Sequence, residues 1–324
     1  MLPPSRETHM FNSSTAASAE IGRRDLFIGG AGAAALAVGL GGTATALAQA
    51  GPGPASGPPP LPPSAASGKV VVERRGAVLL VGLDLTQAQD RLTPPAIIGL
   101  GKAYHQLEQD DGLRVAVLHS IGLNFCAGLD VPAFAAAQAA GILPPKDPDF
   151  INPLGLRPPI RTKPVVVAVQ GRAMSVGDEL ALAADIRVAA QDAVFGQLEV
   201  TRGVFPAGGA TIRLTREAGW GNAMFHMLTG EEWNANEAYR LGLVQAVTPP
   251  GKQLDRAIEI ANKVATAAPL GVRATLASAH QAISSEDAAL QALGPIFAKL
   301  IQSDDAKESA RALQEHRAPV FRGT

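Results

Sequence analysis

Two runs rich in aliphatic and β-branched residues, Val70–Arg74 and Ala77–Asp84, flank the dipeptide Arg75-Gly76. Apolar runs joined by a tight turn predict a β-hairpin. Pro94-Pro95 then opens a segment with helical spacing of apolar residues to about Gln109, proline being tolerated in a first helical turn. The short apolar runs Arg114–His119 and Pro164–Val169 predict buried strands. Each leads into Gly-containing sequence and then a helix-like stretch. From Gly208 onward the pattern is helical apart from Leu243–Val247, with helices expected over Leu254–Ala267, Gly271–Ala282, Glu286–Ile301 and Asp304–Glu315. Between the strands lies Gly141–Pro159, which carries six prolines in nineteen residues. A connection of that length is expected to be a lid, a binding loop or a disordered segment.

The region before Lys69 has none of this patterning. A polar start leads to Arg23-Arg24, followed by a mildly apolar Gly/Ala-rich stretch from Ile28 to Leu47 and small-x-small sites at Ala46-Leu47-Ala48 and Ala48-Gln49-Ala50. Paired arginines before such a stretch resemble a twin-arginine export signal over residues 1–50. The rival reading is a retained membrane anchor, since about 20 residues just span a bilayer. Residues 51–68 (GPGPASGPPPLPPSAASG) cannot form a core and are expected to be a linker. Residues 69–324 remain as one domain, with a β-rich part over 69–250 and C-terminal helices over 251–324. The signal implies an exported, periplasmic protein that engages the twin-arginine machinery, or a cytoplasmic one if the signal does not function.

Composition narrows the chemistry. The 324 residues are 47% hydrophobic and carry a formal charge of -1, without the basic stripe that nucleic-acid binding requires. The single cysteine, Cys126, leaves no internal disulfide and no Cys-based zinc site, and the six histidines lack ligand spacing. No metal and no cofactor are expected.

Three segments carry candidate chemistry. Asn124–Asp130 follows the first buried strand, and Gln170–Leu180 follows the second. A strand, a turn of small residues and a helix start expose backbone N–H groups, which can hold charge developing on a carbonyl oxygen. A plain tight turn is the competing explanation for the first. Glu179 sits in the first turn of its helix, where a capping role competes with catalysis. Asp178 beside it reads as an exposed first-turn residue. The third segment, Phe195–Val200, places Glu199 in apolar, Gly-flanked sequence. A partly buried carboxylic acid there can act as a general acid, against a structural ion pair with Arg202.

Together these segments resemble the crotonase (enoyl-CoA hydratase/isomerase) superfamily. F-C-A-G-x-D at Phe125–Asp130, the stretch Lys163–Arg187 and the stretch Phe195–Gly209 look like its three signature regions in order and spacing. Leu228-Thr229-Gly230, Ala238–Val244 and Glu315–Phe321 extend the likeness over Val70 to Phe321. The resemblance implies an α/β fold of the ClpP/crotonase type, a spiral of β-β-α repeats with a C-terminal helical trimerisation region, assembled as a homotrimer or a dimer of trimers. It places oxyanion-hole amides on Leu129 and Val176, catalytic carboxylates on Glu179 and Glu199, and substrate contacts on Ala127, Gly128, Asp130 and Gly177. CoA enters only as part of an acyl-CoA substrate. Ser175 and Val176 stand where the family usually has glycine, and Asp84-Leu85-Thr86 replaces its Asn-Arg-Pro.

The activity implied is hydration of a 2-enoyl thioester or its reverse. Double-bond isomerisation through Glu199 alone, carbon–carbon hydrolysis of a substrate without CoA, and a non-catalytic binding role are the alternatives. Retention of both glutamates speaks against the last.

Overall fold

The computed structural model describes residues 68–324; the leader and nearly all of the linker expected before them lie outside the described residues. The expected hairpin is present: β1 (Lys69–Arg75) pairs antiparallel with β2 (Val78–Asp84), with Arg75 opposite Val78. Thr93 caps the next helix, α1 (Pro94–Gln109), its hydroxyl accepting from the Ala96 N–H, and Pro94 and Pro95 fill the first turn. β3 (Val115–Ser120), α2 (Val131–Ala139), β4 (Val165–Val169), β5 (Arg172–Met174) and α3 (Val176–Leu182) follow. Then come β6 (Ile186–Ala190), β7 (Val194–Gly196), α4 (Ala210–Ala218), α5 (Trp220–Thr229), β8 (Trp233–Asn234), α6 (Ala235–Arg240) and β9 (Ala246–Thr248).

The larger sheet has the order β1-β2-β3-β4-β6-β9, parallel from β2 onward. Its central strands are apolar at successive positions because both faces are covered, as parallel strands require. Leu79, Val81, Leu118 and Val167 pack on one side with Leu100 and Leu107 of α1. Leu80, Val117 and Val166 face the other side with Ala257 and Ala261 of α7 (Gln253–Ala265). The smaller sheet, β5-β7-β8, is built of two- and three-residue strands. Thus β4-β5-α3 and β6-β7-α4 repeat one order: a strand in the large sheet, a strand in the small one, then a helix. After β3 the single bridge between Cys126 and Ala173 stands in for the short strand, and α2 completes the repeat.

The proline-rich connection has no regular structure, yet it is anchored. Phe150 fills a notch at Gly101 of α1, where an added Cβ would lie 2.2 Å from its ring. The Ile151 N–H donates to the Gly101 carbonyl at 3.2 Å, and Ile151 and Leu154 join the core. Farther on, Glu108 accepts from the Thr162 and Lys163 N–H groups.

Three helices close the chain: α8 (Pro269–Ser284), α9 (Glu286–Leu300) and α10 (Asp304–Gln314). The apolar stripe of α9 stays out of its own core. Leu290 is 58% and Phe297 67% exposed, and only Ala289 of that helix is buried. The last residues fold back, with the Asp305 carboxylate accepting from the Arg322 and Gly323 N–H groups and Arg114 donating to the Phe321 carbonyl. No helix among the described residues is long and apolar enough to cross a membrane.

Candidate active site

The segment after β3 is held by alternate backbone groups. Ala127 N–H donates to the Asp90 carbonyl, Leu92 N–H to Gly128, and Asp130 N–H to Leu92. Gly128 adopts φ 116, a conformation that favours glycine. Between these bonds the Leu129 N–H has no protein acceptor among the described residues, and neither has that of Val176 at the start of α3. The two stretches are pressed together at Gly177, where a Cβ would lie 2.5 Å from the Cys126 carbonyl oxygen. Two unpaired amides on adjoining turns are what a developing oxyanion requires. Asp130 is fully buried, and its carboxylate caps α2 through the Ala133 N–H and lies 3.9 Å from Arg91. Burial pushes the Cys126 thiol up to about 11, so it stays protonated and is no nucleophile.

Glu179 is 3% exposed. Its carboxylate reaches away from its own helix to the glycine turn before α4, accepting from the Ala210 N–H at 3.2 Å and from the Gly208 N–H. A Cβ on Gly208 would lie 2.2 Å from Glu179 Oε2, so glycine makes this approach possible. Burial, and then the charge of Glu199, push the Glu179 carboxyl up to about 7, while the two amides and Arg213 oppose the rise. The capping alternative for Glu179 does not describe this geometry.

Glu199 follows β7 at the start of a short 3-10 turn, Val200–Arg202. It is half-buried. Its Oε2 is shielded from solvent and has no hydrogen-bond partner. Burial raises its pKa, against its own N–H, the Ser175 side chain and Arg202. No ion pair joins Glu199 to Arg202 among the described residues; Arg202 acts on it through space.

Asp178 corrects the expectation of an exposed residue: it is 2% exposed. Its carboxyl is hydrogen-bonded at 2.6 Å to the side-chain amide of Gln197, which is fully buried. Burial holds its pKa well above the usual carboxylate range, with smaller contributions from Glu179 and Glu199. The reason is the packing of α3, whose residues from Gly177 to Leu182 are all buried. A first turn is solvated only if its helix has an outer face, and α3 in the fold has none. Gln197, just after β7, was missed because nothing local in the sequence shows that it meets Asp178, nineteen residues away. Among the described residues no group of three or more His, Cys, Asp or Glu side chains is placed to hold a metal ion.

Comparisons with known proteins point to one family. The enoyl-CoA hydratase/isomerase family model matches residues 73–324. The enoyl-CoA hydratase EchA19 of Mycobacterium tuberculosis is 35% identical, over 78% of this chain and 95% of its own length. The 2,3-dehydroadipyl-CoA hydratase of Escherichia coli is 32% identical, over 79% of this chain and 99% of its own. Among solved structures, an enoyl-CoA hydratase from Mycobacterium tuberculosis superposes with a TM-score of 0.71 at 38% identity, covering 79% of this chain and 99% of that one.

Proposed function

The chain belongs to the enoyl-CoA hydratase/isomerase family, and from that premise we propose that it adds water to a 2-enoyl-CoA thioester through Glu179 and Glu199. It is an enzyme of hydratase type. The observation that carries the assignment of roles is the pair itself: two carboxyl groups whose pKa burial raises, with the charge of Glu199 adding to the rise at the amide-held Glu179. Such a pair holds one proton more readily than none or two.

The thioester carbonyl oxygen would lie against the Leu129 and Val176 N–H groups, each donor worth about 3 kcal/mol toward an enolate. Ala127, Gly128, Asp130 and Gly177 would form the walls beside it. Glu179, held by two amides that favour its ionised form, takes a proton from water as oxygen bonds to C3. Glu199 gives its proton to C2. The pair thus ends the turnover with its single proton moved from Glu199 to Glu179, and exchange with solvent restores the start. Isomerisation needs only the Glu199 step; the buried, amide-held Glu179 favours water addition. Carbon–carbon hydrolysis and a purely binding role find no comparable support. Purified protein is expected to hydrate crotonyl-CoA, followed by loss of the conjugated thioester absorbance; no turnover of enoyl-CoA esters would overturn the proposal.

The exposed stripe of α9 supports a homotrimer, since contiguous apolar surface of this kind marks an interface. Light scattering at micromolar concentration should return about three times the monomer mass, and a monomer would reject it. Residues 1–50 are proposed to direct export by the twin-arginine route to the periplasm, supported by Arg23-Arg24 before a weakly apolar stretch. Arg23→Lys with Arg24→Lys should keep a fused reporter in the cytoplasm while the natural leader exports it. Equal export by both leaders would contradict this.

A further inference from the structure

The glycine turn before α4 touches both Glu179 and Arg213. The Glu179 carboxylate accepts from the Ala210 N–H at 3.2 Å, and a Cβ on Gly208 would lie 2.2 Å from its Oε2. Arg213 holds two successive carbonyls of the same turn. Its backbone N–H donates to the Gly209 carbonyl at 2.9 Å, and its Nη1 to the Gly208 carbonyl at 3.1 Å. The guanidinium lies against Gly209, which stands at φ 109 and where a Cβ would meet Nη1 at 2.1 Å. Nη2 donates to the Leu154 carbonyl of the proline-rich connection. One side chain thus ties α4, the turn and the connection together.

Arg213 is half-buried, and its two guanidinium bonds go to carbonyls rather than to a carboxylate. Glu217, one turn along α4, pairs with Arg187 instead. A shielded cation without an ion pair costs stability, so its place beside the Glu179 turn calls for a reason. Burial opposes the charge of both groups, and each ionised form is supported by the charge of the other.

We propose that Arg213 is a positioning residue for Glu179, its guanidinium clamping the glycine turn to the proline-rich connection so that the turn holds the carboxylate where it meets water. This rests on the reading of Glu179 as the base in hydration. The side-chain bonds of the clamp end on the turn and the connection, so it acts on the Glu179 step and not on proton transfer by Glu199. The charged groups around the Glu179 carboxylate are Asp178 on its own helix, Glu199 after β7 and Arg213 on α4, and of these Arg213 alone is a cation.

Arg213→Met and Arg213→Lys in the full chain test this, beside Glu179→Gln. Each is followed for hydration of crotonyl-CoA, for C2 proton exchange of butyryl-CoA in deuterated water, and for its pH profile. Arg213→Met removes the clamp and the charge. Its hydration is expected to fall about tenfold in kcat through misplacement of the base, with KM within about twofold and exchange within about threefold of the natural protein. Its acid limb, set by ionisation of Glu179, should move to higher pH, because the cation that favours the carboxylate is gone. Arg213→Lys keeps the charge but not the two-pronged fork, so it should hold the limb in place and lose about threefold in hydration alone. A merely structural residue would depress hydration and exchange together and leave the limb unmoved. Absence of a selective loss of hydration in Arg213→Met, or in Arg213→Lys if the first variant does not fold, would overturn the proposal. The Glu179→Gln control separates the two readings. Unchanged hydration there would fail the role of Glu179, whereas a crippled Glu179→Gln beside an unaffected Arg213→Met sinks only the role of Arg213.

Discussion

Replacing Glu199 with Gln is expected to lower hydration by about 10³- to 10⁴-fold, the upper range for a positioned proton donor, with Tm within about 2 °C of the natural protein. Glutamine keeps the volume. The Oε2 position has no hydrogen bond to lose, and replacing a carboxyl whose ionised form is disfavoured by burial removes a desolvation cost. Folding is therefore spared while the proton for C2 is gone. A second consequence carries a definite sign. The charge of Glu199 is the second-largest cause raising the Glu179 pKa, so Glu179 in the variant should titrate at lower pH. Carboxyl chemical shifts followed through a pH titration would check it. Activity within about tenfold of the natural protein at unchanged Tm would remove Glu199 from the chemistry.

Glu179→Gln is expected to cost about 10³-fold in hydration and to leave proton exchange at C2 of a bound thioester far less affected, because that step belongs to Glu199. The pH profile gives the more telling result. The base must be ionised, and its pKa is about 7. Activity of the natural enzyme should therefore rise with pH on a limb at or below about 7, because the proton that Glu199 holds for C2 removes the charge that lifts Glu179. That limb should vanish from the residual activity of Glu179→Gln. Equal loss of hydration and exchange, with the limb retained, would show that Glu179 is not the water-activating base.

What the sequence made legible was what repeated over enough residues to form a pattern. β3 and β4 could be read because nearly every position is apolar, which follows from burial on both faces of a parallel sheet. The hairpin and α1 declared themselves through Arg75-Gly76 and Pro94-Pro95. The small sheet escaped because β5 and β7 have three residues each, too few for any period. α3 was placed by motif rather than by periodicity, and its seven residues hide that Asp178 points inward. The placement of Glu179 and Glu199 in turns after strands was legible; their partners were not. Nothing local in the sequence tells that Gly208 and Ala210 meet Glu179, or that Gln197 bonds Asp178, because these contacts join separate repeats. The proline-rich connection read from its length as a lid, a binding loop or a disordered segment, and in the fold Phe150 and Ile151 anchor it on α1 at Gly101.

The central claim, water addition by a two-glutamate site, is tested most directly by turnover of crotonyl-CoA in deuterated water with the product followed by NMR. The account predicts a 3-hydroxyacyl thioester carrying a single deuterium at C2, placed on one face because one carboxyl delivers it. A protein that returns only deuterium-exchanged or isomerised enoyl thioester, with no hydroxyl at C3, would contradict it.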